Sequence, residues 1–314
     1  MNSRELVKAA IAHEPTTAVP YCIMFTPDGE QRLQEAIGPG SVEAYVDNDI
    51  IRVRAPWWDW HELGPGWRQP AAPTTPATTR GHGSYEDFFR QLKVLRDHSD
   101  KYILVMIYGS HFEKANFARG IENFLADLAG EPAFAQRLLD RIIEKNLAML
   151  DNFLAAPEID GVLLGSDWGT QLDLIMAPHT WEEMIRPGEQ REYDLVHSYG
   201  KDVWVHSCGN IEKVIPSLIE MGLDVLNPVQ PEAMDLAAVK SAYGDRLAFW
   251  GGIGTQQTLP TGTPAEVRAE TRHVRELLAA GGGYVLAPAQ EIQGDVPAEN
   301  MLALVEEARA GRRC

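Results

Sequence analysis

The stretch Asp202-Val-Trp-Val-His206-Ser-Cys208-Gly-Asn210 decides both the fold and the candidate site. It predicts a short buried strand over residues 203–205 that runs into a histidine and a cysteine. Side chains alternate along a strand, so His206 and Cys208 leave on the same side while the chain stays extended. Two ligands of one metal ion require this arrangement. The alternative is a core histidine and a buried thiol that merely end a strand.

Length and composition limit the classes of protein. The 314 residues are enough for one large domain, and the formal net charge of −17 argues against nucleic acid and anionic membrane surfaces as partners. Three scattered cysteines, Cys22, Cys208 and Cys314, favour a reducing compartment over a disulfide scaffold. There is no apolar signal region and no apolar run of the ~20 residues that span a bilayer. We therefore expect a cytoplasmic protein.

Short apolar runs alternate with helical segments along the whole chain. Eight runs predict strands, at residues 20–25, 49–54, 102–107, 161–165, 203–205, 224–229, 247–251 and 283–288. Buried strands separated by helices pair in parallel, and eight of them close into a (β/α)8 TIM barrel of the α/β class. A doubly wound open sheet is the rival fold, but no Gly-x-Gly-x-x-Gly follows the first strand. We expect one domain over 1–314, with an N-terminal helix at 3–13.

Helix boundaries carry recognisable capping signals. Thr180 with Glu183, and Thr263 with Pro264 and Glu266, predict two helix starts. Asn210 is a favourable N-cap for a helix over 211–221, and the glycine before it allows the chain to turn there.

An insertion rich in tryptophan and proline follows the second strand at residues 55–100. Trp57 and Trp58 belong to it, and indole rings suit a planar substrate or cofactor face. The other interpretations are a lid packed on the barrel mouth and an oligomer contact. Two arginines share one side of the preceding strand. We expect Arg52 to form an internal ion pair and Arg54 to act as a clamp for a substrate carboxylate.

Several motifs in order carry a family resemblance, and they cover the last five predicted strands closely and the first 150 residues loosely. They are Gly165-Ser-Asp-Trp-Gly-Thr-Gln171, Met176-Ala-Pro178, His206-Ser-Cys-Gly-Asn-Ile211, Glu220-Met-Gly-Leu-Asp224, Asn227-Pro-Val-Gln230, Phe249-Trp-Gly-Gly-Ile253 and Pro297-Ala-Glu-Asn300. The chain resembles the uroporphyrinogen decarboxylase-like superfamily. Within it, the His-x-Cys pair is similar to the zinc- and corrinoid-dependent methyltransferases.

The resemblance implies a zinc ion held by His206, Cys208 and a third ligand after strand eight. Thiol-methylating relatives often have a second cysteine there, whereas this chain has Gln290 and Glu291. Glu291, or Gln290 through its carbonyl oxygen, is the candidate third ligand. One thiolate with an oxygen ligand makes a harder Lewis acid than two thiolates, which suits an ether oxygen.

The function implied is O-demethylation: methyl transfer from a small methyl donor, a methoxylated aromatic compound, to a corrinoid (cobalamin) carried by a partner protein. Asp167 is the expected general acid or partner of His206, and its alternative is a loop cap. Trp168, with Trp57 and Trp58, is expected to stack the arene. The oligomeric state is left open, with a homodimer among the options.

Other functions remain open at this point. A uroporphyrinogen decarboxylase-type decarboxylase needs a basic clamp for several carboxylates, which residues 21–28 do not offer. A methylcorrinoid:thiol methyltransferase, a zinc hydrolase and a non-catalytic binding protein are the further alternatives.

Overall fold

One parallel sheet forms the centre of the molecule. The computed structural model describes residues 1–57, 83–107 and 109–312. Seven strands are hydrogen-bonded in chain order, and every neighbouring pair is parallel. The strands are β1 (Ile50–Arg54), β2 (Tyr102–Met106), β3 (Gly161–Gly165), β4 (Asp202–His206), β5 (Val225–Asn227), β6 (Ala248–Ile253) and β7 (Tyr284–Pro288).

Residues 20–25 occupy the eighth position and close the barrel. The Cys22 amide donates to Leu286 O of β7 at 3.0 Å, and the Asp49 amide, just before β1, donates to Tyr21 O at 3.0 Å. The predicted first strand is wrong in detail, because this segment makes isolated bridges at Tyr21 and Phe25 without a continuous ladder. Side-chain acceptors before β1 take the place of some ladder bonds. The predicted (β/α)8 barrel is confirmed.

Every crossover between neighbouring strands contains a helix, as parallel pairing requires. The helices before β2 are α1 (Ser3–Ile11), α2 (Pro27–Ile37), α3 (Val42–Val46) and α4 (Tyr85–His98). Those between β2 and β4 are α5 (His111–Arg119), α6 (Ile121–Gly130), α7 (Pro132–Leu154), α8 (Pro178–Thr180) and α9 (Arg186–Ser198). The remaining helices are α10 (Ile215–Glu220), α11 (Leu236–Tyr243), α12 (Thr258–Thr261), α13 (Pro264–Leu278) and α14 (Ala298–Ala310).

The capping predictions have different outcomes. The box at the start of α13 is confirmed, because Thr263 accepts from the Glu266 amide and the Glu266 side chain reaches back to it. The predicted helix start at Thr180 is wrong: α8 begins two residues earlier and is followed by a π-helical turn at Trp181–Ile185. Asn210 accepts from the Glu212 amide at 3.1 Å, but only a 3₁₀ turn at Glu212–Val214 follows before α10.

The barrel interior is filled by aromatic and aliphatic side chains from all seven strands and from residues 20–25. Trp204 packs edge-on against Trp250 with ring centroids 5.5 Å apart, and its indole donates to Tyr102 Oη at 3.0 Å. This layer forms a solid floor beneath the carboxyl ends of the strands, so a ligand is admitted only above it.

Part of the predicted insertion belongs to the barrel itself. Residues 85–98 form α4, the crossover helix between β1 and β2. Residues 58–82 lie outside the described residues, and the expectations for Trp58 fall there. In the part of the chain that the structure describes, no helix is both long and apolar enough to cross a membrane.

Candidate metal centre at the barrel mouth

A cavity of about 350 Å³ opens at the carboxyl ends of the strands. Its volume lies in the range of about 300–1,000 Å³ that small-molecule sites occupy. Polar and charged side chains gather on its wall around a few apolar ones, as in a site that fixes the orientation of a ligand. These lining residues include Cys22, Met24, Thr26, Arg52, Arg54, Met106, Glu113, Asp167, His206, Cys208, Asn227, Trp250, Gln290, Glu291 and Gln293.

The structure brings the His206 and Cys208 side chains together as predicted. Cys208 Sγ lies 3.2 Å from His206 Nε2, and both atoms face the cavity. The chain turns directly after the cysteine, at Gly209, whose φ of +79° is open to glycine. A Cβ at Gly169 in the facing loop would lie only 2.5 Å from Cys208 O. Two glycines therefore allow the backbones to approach closely enough to place the thiol.

Asn227 at the end of β5 fixes the tautomer of the neutral histidine ring. Its Nδ2 donates to Trp250 O at 2.8 Å, and because a carbonyl only accepts, the amide oxygen must face His206. His206 Nδ1 lies 2.5 Å from Asn227 Oδ1 and therefore carries the ring proton. The Nε2 lone pair is left pointing toward the thiol. Histidine ligands of metals are oriented in this way by a hydrogen bond from the second ring nitrogen.

Asp167, in the loop after β3, completes a group of three. Its Oδ1 accepts from the Cys208 amide at 2.9 Å and lies 3.7 Å from His206 Nε2. Ligand atoms of these three side chains all lie within 4.8 Å of one another. An imidazole, a thiol and a carboxylate are the donor types of catalytic zinc sites with three protein ligands. The residues present fit a zinc ion.

The pKa of the Cys208 thiol depends on its burial and on the charged and polar groups beside it. Burial, and then the negative charge of Asp167, raise the pKa of Cys208 to about 12. Gln290 Nε2 donates to Cys208 Sγ at 2.7 Å and opposes that rise. Cys208 is therefore a neutral thiol at neutral pH unless a cation is beside it. A bound metal ion would reverse this, because coordination deprotonates a thiol.

Glu291 lies elsewhere on the cavity wall. It forms an ion pair with Arg52, and it is not in the group of three ligand atoms that the structure assembles. The third group beside His206 and Cys208 is Asp167, from the loop after β3 rather than from the loop after β7. The prediction that Arg52 forms an internal ion pair is confirmed.

Arg54 is the other cation of the wall. It ends β1 and lines the cavity, and no described residue forms an ion pair or a hydrogen bond with its guanidinium. Two strands, β2 and β3, separate β1 from the strand that carries His206. The cavity thus has candidate metal ligands on one side and, on another, a guanidinium with no partner among the described residues.

Two of the tryptophan predictions are wrong. Trp168 is fully buried and packs edge-on against Trp181, with centroids 5.4 Å apart, so it belongs to the core. Trp57 is also a core residue, with the Lys114 ammonium 5.0 Å from the centre of its ring. Neither lines the cavity, because both side chains turn toward the helices that surround the barrel.

Sequence reasoning missed Trp250 and Asn227. The Trp250 indole lines the cavity, and its buried Nε1 has no hydrogen-bond partner among the described residues. Both residues lie near the carboxyl ends of predicted strands, and both fall within the quoted motifs. Alternation along β6 was the available signal for Trp250, because it faces the interior as Ala248 does.

These features define a (β/α)8 barrel with a candidate metal centre at its mouth. The sequence profile of the family described as "Uroporphyrinogen decarboxylase (URO-D)" matches residues 75–311, and the chain belongs to this family. No curated protein sequence matches the chain significantly.

One solved structure shares the fold over its whole length. A methyltransferase from Methanosarcina mazei has a TM-score of 0.76 and 18% sequence identity, over 99% of each chain. An exo-beta-1,4-mannosidase from Opitutaceae bacterium strain TAV5 has a TM-score of 0.46 and 13% identity, over 94% of this chain and 60% of that one. The 3-keto-D-glucoside 4-epimerase from E. coli has a TM-score of 0.44 and 13% identity, over 73% of this chain and 85% of that one. The last two are too distant to support an argument.

Proposed function

We propose that this protein is a zinc-dependent methyltransferase that moves a methyl group from a methoxylated aromatic compound to a corrinoid protein. The observation that carries the proposal is the group Asp167, His206 and Cys208, set in a cavity with the histidine held in the ligating tautomer. Membership of the family, and the fold shared with one solved methyltransferase, support the proposal.

His206 Nε2, Cys208 Sγ and the Asp167 carboxylate would hold the metal. This assignment replaces both the general-acid role of Asp167 and the ligand role of Glu291 that the sequence favoured. Glu291 would have to leave its ion pair with Arg52 to become a ligand. When bound, zinc supplies a Lewis acid that makes an ether oxygen a better leaving group.

The remaining wall determines which donor fits. Met24, Met106 and the Trp250 indole offer apolar surface for an arene. Arg54 would pair with an anionic group at the other end of the ring. The best donor is therefore an aryl methyl ether with a carboxylate, such as 4-methoxybenzoate.

The transfer balances as a nucleophilic displacement. The O–CH₃ bond breaks, the aryl oxygen keeps the bonding electron pair and leaves as a phenolate, and the methyl group bonds to the reduced corrinoid. The chain's own residues hold the ring, orient the methyl group toward the mouth and exclude water from the floor. The partner must approach from the mouth, since the aromatic layer closes the other side.

Tetrapyrrole decarboxylation is disfavoured by the charges of the cavity. Among its described lining residues the only arginines are Arg52 and Arg54, and Arg52 is already paired with Glu291. A substrate with several carboxylates would leave most of them without a cation. Thiol methylation is disfavoured because Cys22, the other cysteine of the wall, is not in the ligand group and burial raises its pKa to about 12.

A methyl-transfer assay tests the proposal. The protein is mixed with zinc, a reduced corrinoid protein and either 4-methoxybenzoate, a methylamine or a methyl thiol, and cobalt methylation is followed by absorbance. Methylation with the methoxyarene that depends on His206 and Cys208 is expected. Turnover of an ester or amide without any corrinoid would instead identify a zinc hydrolase, and methylation only from the amine or thiol would overturn the substrate class.

A further inference from the structure

A second cluster of metal-ligand side chains lies buried behind the cavity wall. His111 at the start of α5 faces Glu189 and Glu192 of α9, and all three side chains are fully buried. One ligand atom from each lies within 4.8 Å of the others. Burying two carboxylates beside an imidazole is costly unless their charge is balanced. None of these residues takes part in the proposed methyl transfer.

Hydrogen bonding leaves the inner nitrogen of His111 without a proton in the neutral ring. His111 Nε2 lies 3.1 Å from Ile185 O, which only accepts, so Nε2 carries the proton. Nδ1 then presents a lone pair to Ser110 Oγ at 3.1 Å and to Glu189 Oε1 at 3.2 Å. The single proton of Ser110 Oγ is already donated to Glu192. His111 Nδ1 therefore faces two oxygen atoms, and neither of them donates a hydrogen to it.

The two buried carboxylates differ in how their oxygens are satisfied. Both oxygens of Glu189 are buried, and no described residue donates a well-aligned hydrogen bond to either of them. Glu192 accepts from Asn146 Nδ2 at 2.7 Å on one oxygen and from Ser110 on the other. Buried carboxylate oxygens are normally satisfied, so the two oxygens of Glu189 are available to a bound cation.

We propose that a divalent cation with borderline nitrogen and oxygen preference, such as Mn²⁺ or Zn²⁺, binds between His111, Glu189 and Glu192. Ligand bonds of about 2.1 Å meeting at about 90–100° place two donor atoms roughly 3.0–3.2 Å apart. The separation of 3.2 Å between His111 Nδ1 and Glu189 Oε1 agrees with the spacing of two adjacent ligand atoms. The carbonyl of Ile185 orients the ring as the outer partner of a ligating histidine does.

The neighbouring residues tolerate a cation. Gly188 leaves room for the imidazole, because a Cβ there would lie 2.7 Å from His111 Nε2. The Lys114 ammonium is the nearby positive group, and burial lowers its pKa to about 7, so its charge is readily lost when a cation is bound. The rival arrangement is a proton on His111 Nδ1, which would make an imidazolium paired with Glu189.

The cation would fix the wall of the cavity from behind. Ser110 follows Gly109, which lines the cavity, and α9 lies on the outside of the barrel. A metal bridging α5 and α9 would hold the loop after β2 in place. This site is separate from the mouth and does not rest on the proposed function.

Metal binding tests this site in a background that lacks the first one. The variant His206→Ala, Cys208→Ala is stripped with a chelator and titrated with Mn²⁺, followed by electron paramagnetic resonance. One Mn²⁺ per chain is expected. Adding Glu189→Gln should weaken Mn²⁺ binding about 10-fold or more. The matched change Glu182→Gln should not weaken it, because Glu182 is a partly exposed ion-pair residue just before α9.

Crystals of the wild-type protein grown with Mn²⁺ make the test independent of whether the variants fold. An anomalous difference peak among His111, Glu189 and Glu192 is expected at the manganese edge. No peak in this cluster, together with no Mn²⁺ bound by the double variant, would overturn the proposal in favour of the imidazolium pair. Equal Mn²⁺ affinity with and without Glu189→Gln would also overturn it.

Discussion

Replacing Asn227 separates metal affinity from folding stability, because its two hydrogen bonds serve different purposes. The oxygen holds His206 Nδ1 at 2.5 Å, and the nitrogen donates to Trp250 O at 2.8 Å. Asn227→Ala removes both bonds. Loss of the partner that orients a ligating histidine typically weakens metal binding by about 10–100-fold. The buried carbonyl of Trp250, left without a donor, costs about 1–3 kcal/mol of unfolding free energy.

Asn227→Asp is the matched variant. A carboxylate still accepts from His206 Nδ1, but it cannot donate to Trp250 O. We expect zinc affinity close to that of the wild type and a loss of stability similar to that of Asn227→Ala, since the unpaired carbonyl is common to both. Competition with a chromogenic zinc chelator measures the affinity, and denaturant unfolding of the metal-free proteins measures the stability.

Zinc binding by Asn227→Ala that is as tight as in the wild type would contradict this prediction. In that case the hydrogen bond would not select the ligating tautomer of His206. A parallel loss of zinc affinity in both variants would show that Asn227 acts through folding alone.

Three further outcomes follow from the described contacts. Arg54→Gln should weaken binding of 4-methoxybenzoate about 10-fold or more, by loss of a charge-assisted hydrogen bond, and leave binding of neutral 4-methoxybenzyl alcohol unchanged in calorimetry. Gly169→Ala places a Cβ 2.5 Å from Cys208 O, so it should lower stability by about 1–3 kcal/mol and zinc affinity with it, whereas Gly130→Ala meets nothing within 4 Å and should do neither. The hydrogen bond that His197 Nε2 donates to Asp224 raises the pKa of His197 above 6.5, so its contribution to the free energy of unfolding is complete below that pH and is lost as pH rises through the folded pKa. His197→Gln should reduce this pH dependence of the unfolding free energy, by less than about 1 kcal/mol at this half-exposed position.

Hydrophobic alternation and helix spacing were sufficient to predict the barrel. The predicted runs at 102–107 and 161–165 match β2 and β3 closely, because buried parallel strands read as continuous apolar runs. Residues 20–25 read the same way but lack a full ladder, because side chains before β1 supply some of their hydrogen bonds. The local sequence pattern does not show that side chains replace these ladder hydrogen bonds.

The site was predictable where its residues are close in sequence. His206 and Cys208 are two residues apart on one strand end, so their meeting follows from strand geometry. The third group came from a different loop, and choosing between Asp167 and Glu291 required knowing that Arg52 engages Glu291. Trp168 was misplaced because a residue just after a strand can turn inward as well as toward the mouth.

Zinc K-edge X-ray absorption of the purified protein tests whether the candidate centre binds zinc through Cys208. We expect about one zinc per chain, with one sulfur at about 2.3 Å and nitrogen or oxygen ligands at about 2.0–2.2 Å. The sulfur signal should disappear in Cys208→Ser. A zinc spectrum with no sulfur ligand, or one unchanged in His206→Ala, Cys208→Ala, would contradict the assignment of this site.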